Sequence, residues 1–351
     1  MYRKLGLCIS GLIISFQAVA FDGFTFQHKD WYLACDNSGT CRAAGYSDYN
    51  EYENPVAVLF ERKAGPASEV TAKVFYGERS VNFGGSYESE ATITEEERSI
   101  YHLFIDGKDF GAVKTYLNLN QVKSILSVVT RNTKITFGKK DTFWALSDSG
   151  ASAVFRKMDE FQGRIGTQHA IVAKGNKSES QVYPAKAIPI IYNKAAKGEL
   201  QEVKHDSVLF KTLFPLLVNG SKAQANCSAF DNDGFASDAR MEKANLGNGR
   251  SIVSLPCWMA AYNFADGFWV INDVEPYKPE FIRAGGYYSN GEISASYKGR
   301  GIGDCWSSES WVYDGEAFRL ASSDDTGLCR AIAAGGIDLM PTFVSDVRVS
   351  E

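Results

Sequence analysis

The run Lys298-Gly299-Arg300-Gly301-Ile302-Gly303-Asp304-Cys305-Trp306 gathers residue types suited to holding a ligand. Its glycines at alternate positions leave backbone N–H groups open to an anion. Lys298 and Arg300 add donors and positive charge, and Trp306 offers a stacking face. With Trp258 and Trp311 nearby, such a surface would suit a carboxylate, a sugar or a loop of a partner. Lys298, Arg300, Asp304 and Trp306 are therefore the candidate binding residues. The competing reading is a glycine-rich turn held by a disulfide at Cys305, with the tryptophans packed in a core. Asp36 with Arg42 is a lesser candidate, equally explained as an ion pair within a hairpin.

Catalytic constellations are missing from the linear sequence. His28, His102, His169 and His205 are too far apart for a local metal motif. Gly286 to Gly291 lacks the spacing of a serine-hydrolase elbow and reads as a hairpin turn. Ser294 and Ser296 miss the S-x-x-K spacing to Lys298. Asp231-Asn232-Asp233-Gly234 resembles the start of a calcium loop but lacks the spaced glycine and closing glutamate, so an Asx turn accounts for it. Glu95-Glu96-Glu97 reads as a solvated helix face. No catalytic residue, metal or cofactor is expected, and the leading reading is a binding or interaction protein, an inhibitor of a lytic enzyme being one form. The alternative is a hydrolase of peptidoglycan or another envelope polymer, since acid–base carboxylates need to meet in space rather than in sequence.

The chain starts with two cations, Arg3 and Lys4, then an apolar run from Leu5 to Phe16, then Ala18-Val19-Ala20. This is the order of a secretory signal peptide spanning 1–20, with cleavage before Phe21. No later stretch reaches membrane-spanning length, so a periplasmic or secreted protein of a bacterial cell envelope is expected. Cys8 leaves with the signal. Cys35, Cys41, Cys227, Cys257, Cys305 and Cys329 remain, an even set that reads as disulfides in an exported chain. Spacing leaves connectivity open; pairing in sequence order, Cys35–Cys41, Cys227–Cys257 and Cys305–Cys329, is the preferred solution. A net charge of −5 with no basic block argues against nucleic acid. An envelope protein or glycan is the expected partner.

These residues must be positioned by a mainly β, α+β chain of two disulfide-containing domains. Residues 21–166 read as a sheet with two helices. Asp30 to Arg42 forms a hairpin closed by Asp36-Asn37-Ser38-Gly39, and Pro55 to Arg62 and Val70 to Tyr76 are strands. Leu119, Val122, Ile125, Leu126 and Val129 share a helix face, capped by Asn118. Ala151, Val154, Phe155, Met158 and Phe161 share another, with Asp148 or Ser149 as cap. Residues 167–224 read as an interdomain segment holding a short helix near Leu209 to Val218, interrupted by Pro215. Residues 225–351 read as an antiparallel sandwich or partly closed barrel, in which Asp314-Gly315 makes a two-residue hairpin turn.

Several blocks resemble an uncharacterised bacterial family called domain of unknown function 1176. They are Asp30-Trp31-x-x-Ala34-Cys35-Asp36-Asn37 with Cys41-Arg42-Ala43-Ala44-Gly45-Tyr46, Met158 to Arg164, Cys257-Trp258-x-x-Ala261-Tyr262-Asn263, and Ile293 to Trp306. The first region is also distantly similar to the invasion-associated locus B family, in its Trp-x-x-x-Cys opening and the Leu146 to Gly150 helix start. These resemblances imply an envelope location and a two-part build, and no particular chemistry.

Overall fold

Five short runs near the N-terminus read as strands, and the middle three are buried at nearly every position, so both of their faces are covered. In the computed structural model, which describes residues 23–49, 54–77, 100–139, 142–196, 198–231 and 239–349, they form an antiparallel meander in chain order. Its strands are β1 (Phe24–His28), β2 (Trp31–Cys35), β3 (Cys41–Tyr46), β4 (Val56–Arg62) and β5 (Val70–Tyr76). The segment expected to be a signal peptide, the acidic stretches from Asn50 to Glu53 and Glu88 to Glu97, and Asn232 to Gly234 of the calcium-like turn lie outside the described residues.

Period-2 geometry sends Trp31, Leu33, Val56, Val58 and Phe60 to one face of this sheet. There they meet a second antiparallel sheet, made by β6 (His102–Ile105), β7 (Lys108–Ala112), β8 (Ile135–Lys139) and β9 (Thr142–Leu146) in the order β7-β6-β8-β9. Two helices complete that core, α1 (Leu119–Leu126) and α2 (Ala151–Phe161). Gly45 sits opposite Trp31, where a Cβ would come within 2.5 Å of the indole. The bare backbone lets the ring lie on the strand. Asn118 and Gln121 cap α1 reciprocally, as its sequence suggests. The cap of α2 differs from expectation: it is Gly150, because the Asp148 carboxylate is taken by the Thr133 amide at 2.8 Å.

Beyond α2, residues 167–224 supply β10 (Ile190–Asn193), β11 (Gln201–Glu202), α3 (Val208–Val218) and α4 (Ser221–Asn226). α3 runs through Pro215 without breaking. The rest builds two open antiparallel sheets rather than a barrel. One adds β12 (Glu242–Gly247), β13 (Arg250–Met259), β14 (Phe264–Asn272) and β15 (Glu280–Ala284) to β11. The other holds β16 (Tyr287–Ser289), β17 (Glu292–Lys298), β18 (Trp306–Tyr313), β19 (Phe318–Asp325) and β20 (Met340–Phe343). Ile252, Phe268 and Val270 of the first pack on Ile293, Tyr313 and Phe318 of the second, which makes a sandwich. Val253, Leu255 and Trp269, one residue out of phase, face away and are covered by Phe210, Leu213 and Leu217 of α3.

The final strand, β21 (Asp346–Val349), returns to pair in parallel with β10. The β18–β19 hairpin closes over four residues, not two. Asp314 accepts from the amides of Glu316 (2.9 Å) and Ala317 (2.8 Å), widening the turn. The three disulfides join Cys35–Cys41, Cys227–Cys257 and Cys305–Cys329. No helix among the described residues is long and apolar enough to cross a membrane.

Candidate functional site

Lys298 ends β17 and Trp306 begins β18, paired across the strands, so the glycine run is the loop of their hairpin. Most of its polar groups turn inward. Arg300 grips Asp304 through Nε (2.7 Å) and Nη2 (2.5 Å), and the Asp304 carboxylate also accepts from the Ala331 amide at 2.6 Å. Burial alone would raise the Asp304 pKa, but the Arg300 fork and the Ala331 amide outweigh it and hold the carboxylate below its usual range. The amides of Gly299 and Gly303 are spent on Cys305 and Arg300 carbonyls. Gly303 takes a positive φ of 69°. A Cβ on Gly299 would reach within 2.6 Å of the Cys305 sulfur. The run is thus a disulfide-braced turn, and Asp304 is a structural anchor rather than a free ligand contact.

Trp306 donates its indole N–H to the Gly303 carbonyl at 2.8 Å, and Lys298 lies 5.4 Å over its ring. Trp258 stacks beside Tyr297 at 5.8 Å, whereas Trp311 packs against the sandwich core under Arg283. The expected trio of tryptophans is therefore split. Asp304, Cys305 and Cys329 bring possible metal-ligating atoms within 4.8 Å, but both sulfurs are committed to the disulfide and are not thiolates. Asp36 and Arg42 do form the hairpin ion pair, at 3.2 Å.

What the loop supports is an aromatic surface beside it. The tip of the β13–β14 hairpin is clamped to Lys298 through Asn263, which donates to its carbonyl and accepts from its amide, both at 3.1 Å. Around that clamp Met259 is 85%, Tyr262 62%, Phe264 58% and Tyr287 65% exposed. Phe264 and Tyr287 meet edge to face, and a Cβ on Gly301 would come within 2.9 Å of the Tyr262 ring. Tyr262 lies in a quoted block, but nothing in its spacing says that the hairpin tip is solvent-facing.

The same hairpin loop borders the junction between the two halves of the chain. Arg330, next to Cys329, bonds Asp30 at 2.8 Å and lies over the Tyr49 ring. Tyr32 donates to Asp325, and the Tyr46 hydroxyl accepts from the Leu328 amide at 3.0 Å. Burial pushes Asp325 above the usual carboxylate range, a rise that the Tyr32 and Gly327 hydrogen bonds oppose without cancelling. The blocks Asp30–Trp31, Cys41–Tyr46 and Gly303–Trp306 thus converge on one place.

A second cluster lies under α2. Arg62 is 3% exposed and faces the wholly buried Asp159 at 3.6 Å. Asp159 accepts from the amides of Ile171 (2.7 Å) and Val172 (3.0 Å), while Arg164 reaches Glu179 and the Gly65 carbonyl. Desolvation and the like charge of Arg164 lower the Arg62 pKa to about 10, against the opposing pull of Asp159 and Glu179. This network is missed by motif reading. The signal was present nonetheless: Val56, Val58, Phe60 and Arg62 alternate, so an arginine takes an inward position, and Asp159 follows Phe155 by one helical turn.

The family model described as "Protein of unknown function (DUF1176)" matches residues 25–345. An uncharacterized protein, YpfG, of Escherichia coli (strain K12) is 23% identical over 325 residues, covering 83% of this chain and 85% of its own length. No solved structure matches. The family match spans both halves and every block gathered at the junction, and on that extent the chain belongs to the DUF1176 family.

Proposed function

We propose that this chain is an exported binding protein of the cell envelope that engages a partner protein through the aromatic hairpin tip. The observation that carries the reading is the shared exposure of Met259, Tyr262 and Phe264 at the tip of the β13–β14 hairpin and of Tyr287 of β16 beside it, the tip being held by Asn263 to a disulfide-braced loop. Aromatic residues and methionine are enriched where protein partners meet, and rigid presentation lowers the entropic cost of association. Lys298 and Trp306 border this surface, and Arg300 and Asp304 support it from below. The N-terminal charged–apolar–small pattern and three disulfides favour export.

A hydrolase would be favoured by two unengaged carboxylates facing one another across a cleft. Asp30, Asp159, Asp304 and Asp325 are each held by an arginine or a tyrosine instead. The test is capture from a periplasmic extract with wild type and with Tyr262→Ala/Phe264→Ala, whose exposed positions spare the fold. A discrete partner retained by wild type and weakened by about 30-fold or more in the double variant is the expected result. Equal recovery from both proteins overturns the reading.

A further inference from the structure

The last strand of the chain has an open edge with a charge pattern of its own. β21 pairs in parallel with β10 and with no other strand among the described residues. In a parallel pair, alternate residues of each strand turn their N–H and C=O to the neighbour. The Asp346 amide donates to the Pro189 carbonyl at 2.9 Å, so the backbone groups of Asp346 and Arg348 serve β10. Those of Val347 and Val349 therefore point outward, and their side chains are 43% and 74% exposed. Such an edge is a template for another strand.

The side chains say which strand fits. Open edges are commonly guarded by lysine, and a copy of such an edge is repelled by its own charge. β21 instead reads Asp346-Val347-Arg348, one charge of each sign on either side of a valine. Two such strands laid antiparallel about Val347 bring Asp346 of each copy opposite Arg348 of the other. The two Val347 residues then face each other as a hydrogen-bonded pair, which uses the outward backbone groups of both. The charged pairs fall at the adjoining positions without hydrogen bonds, where opposed side chains come closest. Within one chain Arg348 already reaches Asp346 through Nε (2.9 Å) and Nη2 (2.6 Å), with both side chains at the surface. An exposed pair of that kind contributes little, so exchanging it for two cross-strand pairs costs little.

We propose that β21 joins a second copy of this chain by antiparallel strand addition about Val347, giving a two-fold symmetric dimer. Contacts across a two-fold axis require a self-complementary patch, and Asp-Val-Arg is one. A four-residue edge makes a small contact, so the dimer is reversible and forms as concentration rises. It uses none of the residues of the aromatic hairpin tip and stands whether or not that tip engages a partner.

The test is sedimentation velocity of the purified protein, expressed from its full sequence, over a concentration range of about a thousandfold. Wild type should pass from monomer to dimer along the series. Arg348→Asp sets aspartate opposite aspartate, and Asp346→Arg sets arginine opposite arginine. Each variant alone should dimerise about tenfold or more weakly, with an unchanged circular dichroism spectrum. Mixed in equal amounts, the two single variants regain complementarity and should form the dimer again. The chain carries a net charge of −5, so both variants remain anionic and bulk attraction does not account for such a recovery. Wild type that stays monomeric throughout overturns the proposal. So does a dimer that either single variant keeps at wild-type strength, or one that mixing the variants fails to restore.

Discussion

Replacing Asp304 by asparagine keeps its shape and removes the charge that Arg300 and the Ala331 amide both seek. Asp304 is only 3% exposed, so the loss of charged hydrogen bonds should cost about 2 kcal/mol at neutral pH. The folded chain holds this proton less readily than the unfolded chain does, because the Asp304 pKa is lowered from 3.8. Its contribution is therefore complete above that value and is lost as pH falls through the lower folded one. Urea unfolding of wild type and Asp304→Asn should show a gap at pH 7 that narrows in acid below 3.8; a gap independent of pH would rule out the charge as its source. Sequence offered Asp304 both as a binding residue and as part of a disulfide-held turn, and the structure shows its carboxylate engaged by Arg300 and Ala331. An Asp four residues after an Arg reads equally as a ligand pair or as a brace, and only the third partner, Ala331, decides for the brace. Arg62 was legible in principle, since a charge at an inward strand position demands a partner. The partner lies on a helix almost a hundred residues away, and alternation does not name it.

Helix faces were easier to read than helix ends. The apolar stripes of α1 and α2 follow from spacing alone, but caps depend on which groups compete for each side chain. Asp148 gives up α2 to serve Thr133, and Asp314 recruits two amides and lengthens a turn that Asp-Gly would otherwise close tightly. α1 tests this logic. Gln121 accepts from the Asn118 amide at 3.0 Å, and its own amide reaches the carbonyls of Phe110, Gly111 and Ala112. It pins the helix to the end of β7. Asn118→Ala should cost about 1 kcal/mol, as lost caps do. Gln121→Ala should cost more, about 2 kcal/mol, because it also strips bonds from a side chain 2% exposed. Denaturant unfolding of both variants checks the order; a larger loss for Asn118→Ala would place the weight on the cap rather than on the pin.

Across the whole molecule, the second face of the β1–β5 sheet has no cover of its own. Ala34, Ala44, Tyr46, Ala57 and Leu59 are buried there by Leu328, Ile332, Ile337 and Met340, from the far end of the chain. Asn37 and Val344 exchange two hydrogen bonds beside them, at 3.0 and 2.8 Å. That contact is apolar at its centre and ionic at its edge, where Arg330 meets Asp30. Coupling of this kind should make the chain unfold in one calorimetric transition, and Met340→Asp should lower it as a whole. Two separate transitions in wild type would show that the halves melt independently. Fold class and the presence of disulfides were readable because alternation and cysteine parity are local or countable; which cysteines join, and the covering of one sheet by a remote segment, are neither.

The covered sheet also bears on the order of events at birth. Ribosomes deliver Tyr46 long before Leu328, whose amide it accepts from across 282 residues. At typical synthesis rates of about 5–20 residues per second, the meander waits on the order of tens of seconds with an apolar face bare. During that interval the bare face is exposed apolar surface, of the kind that makes incomplete chains prone to aggregate. The last stretch of polypeptide thus decides when the first sheet is finished, since its outer face stays bare until Leu328, Ile332, Ile337 and Met340 reach it.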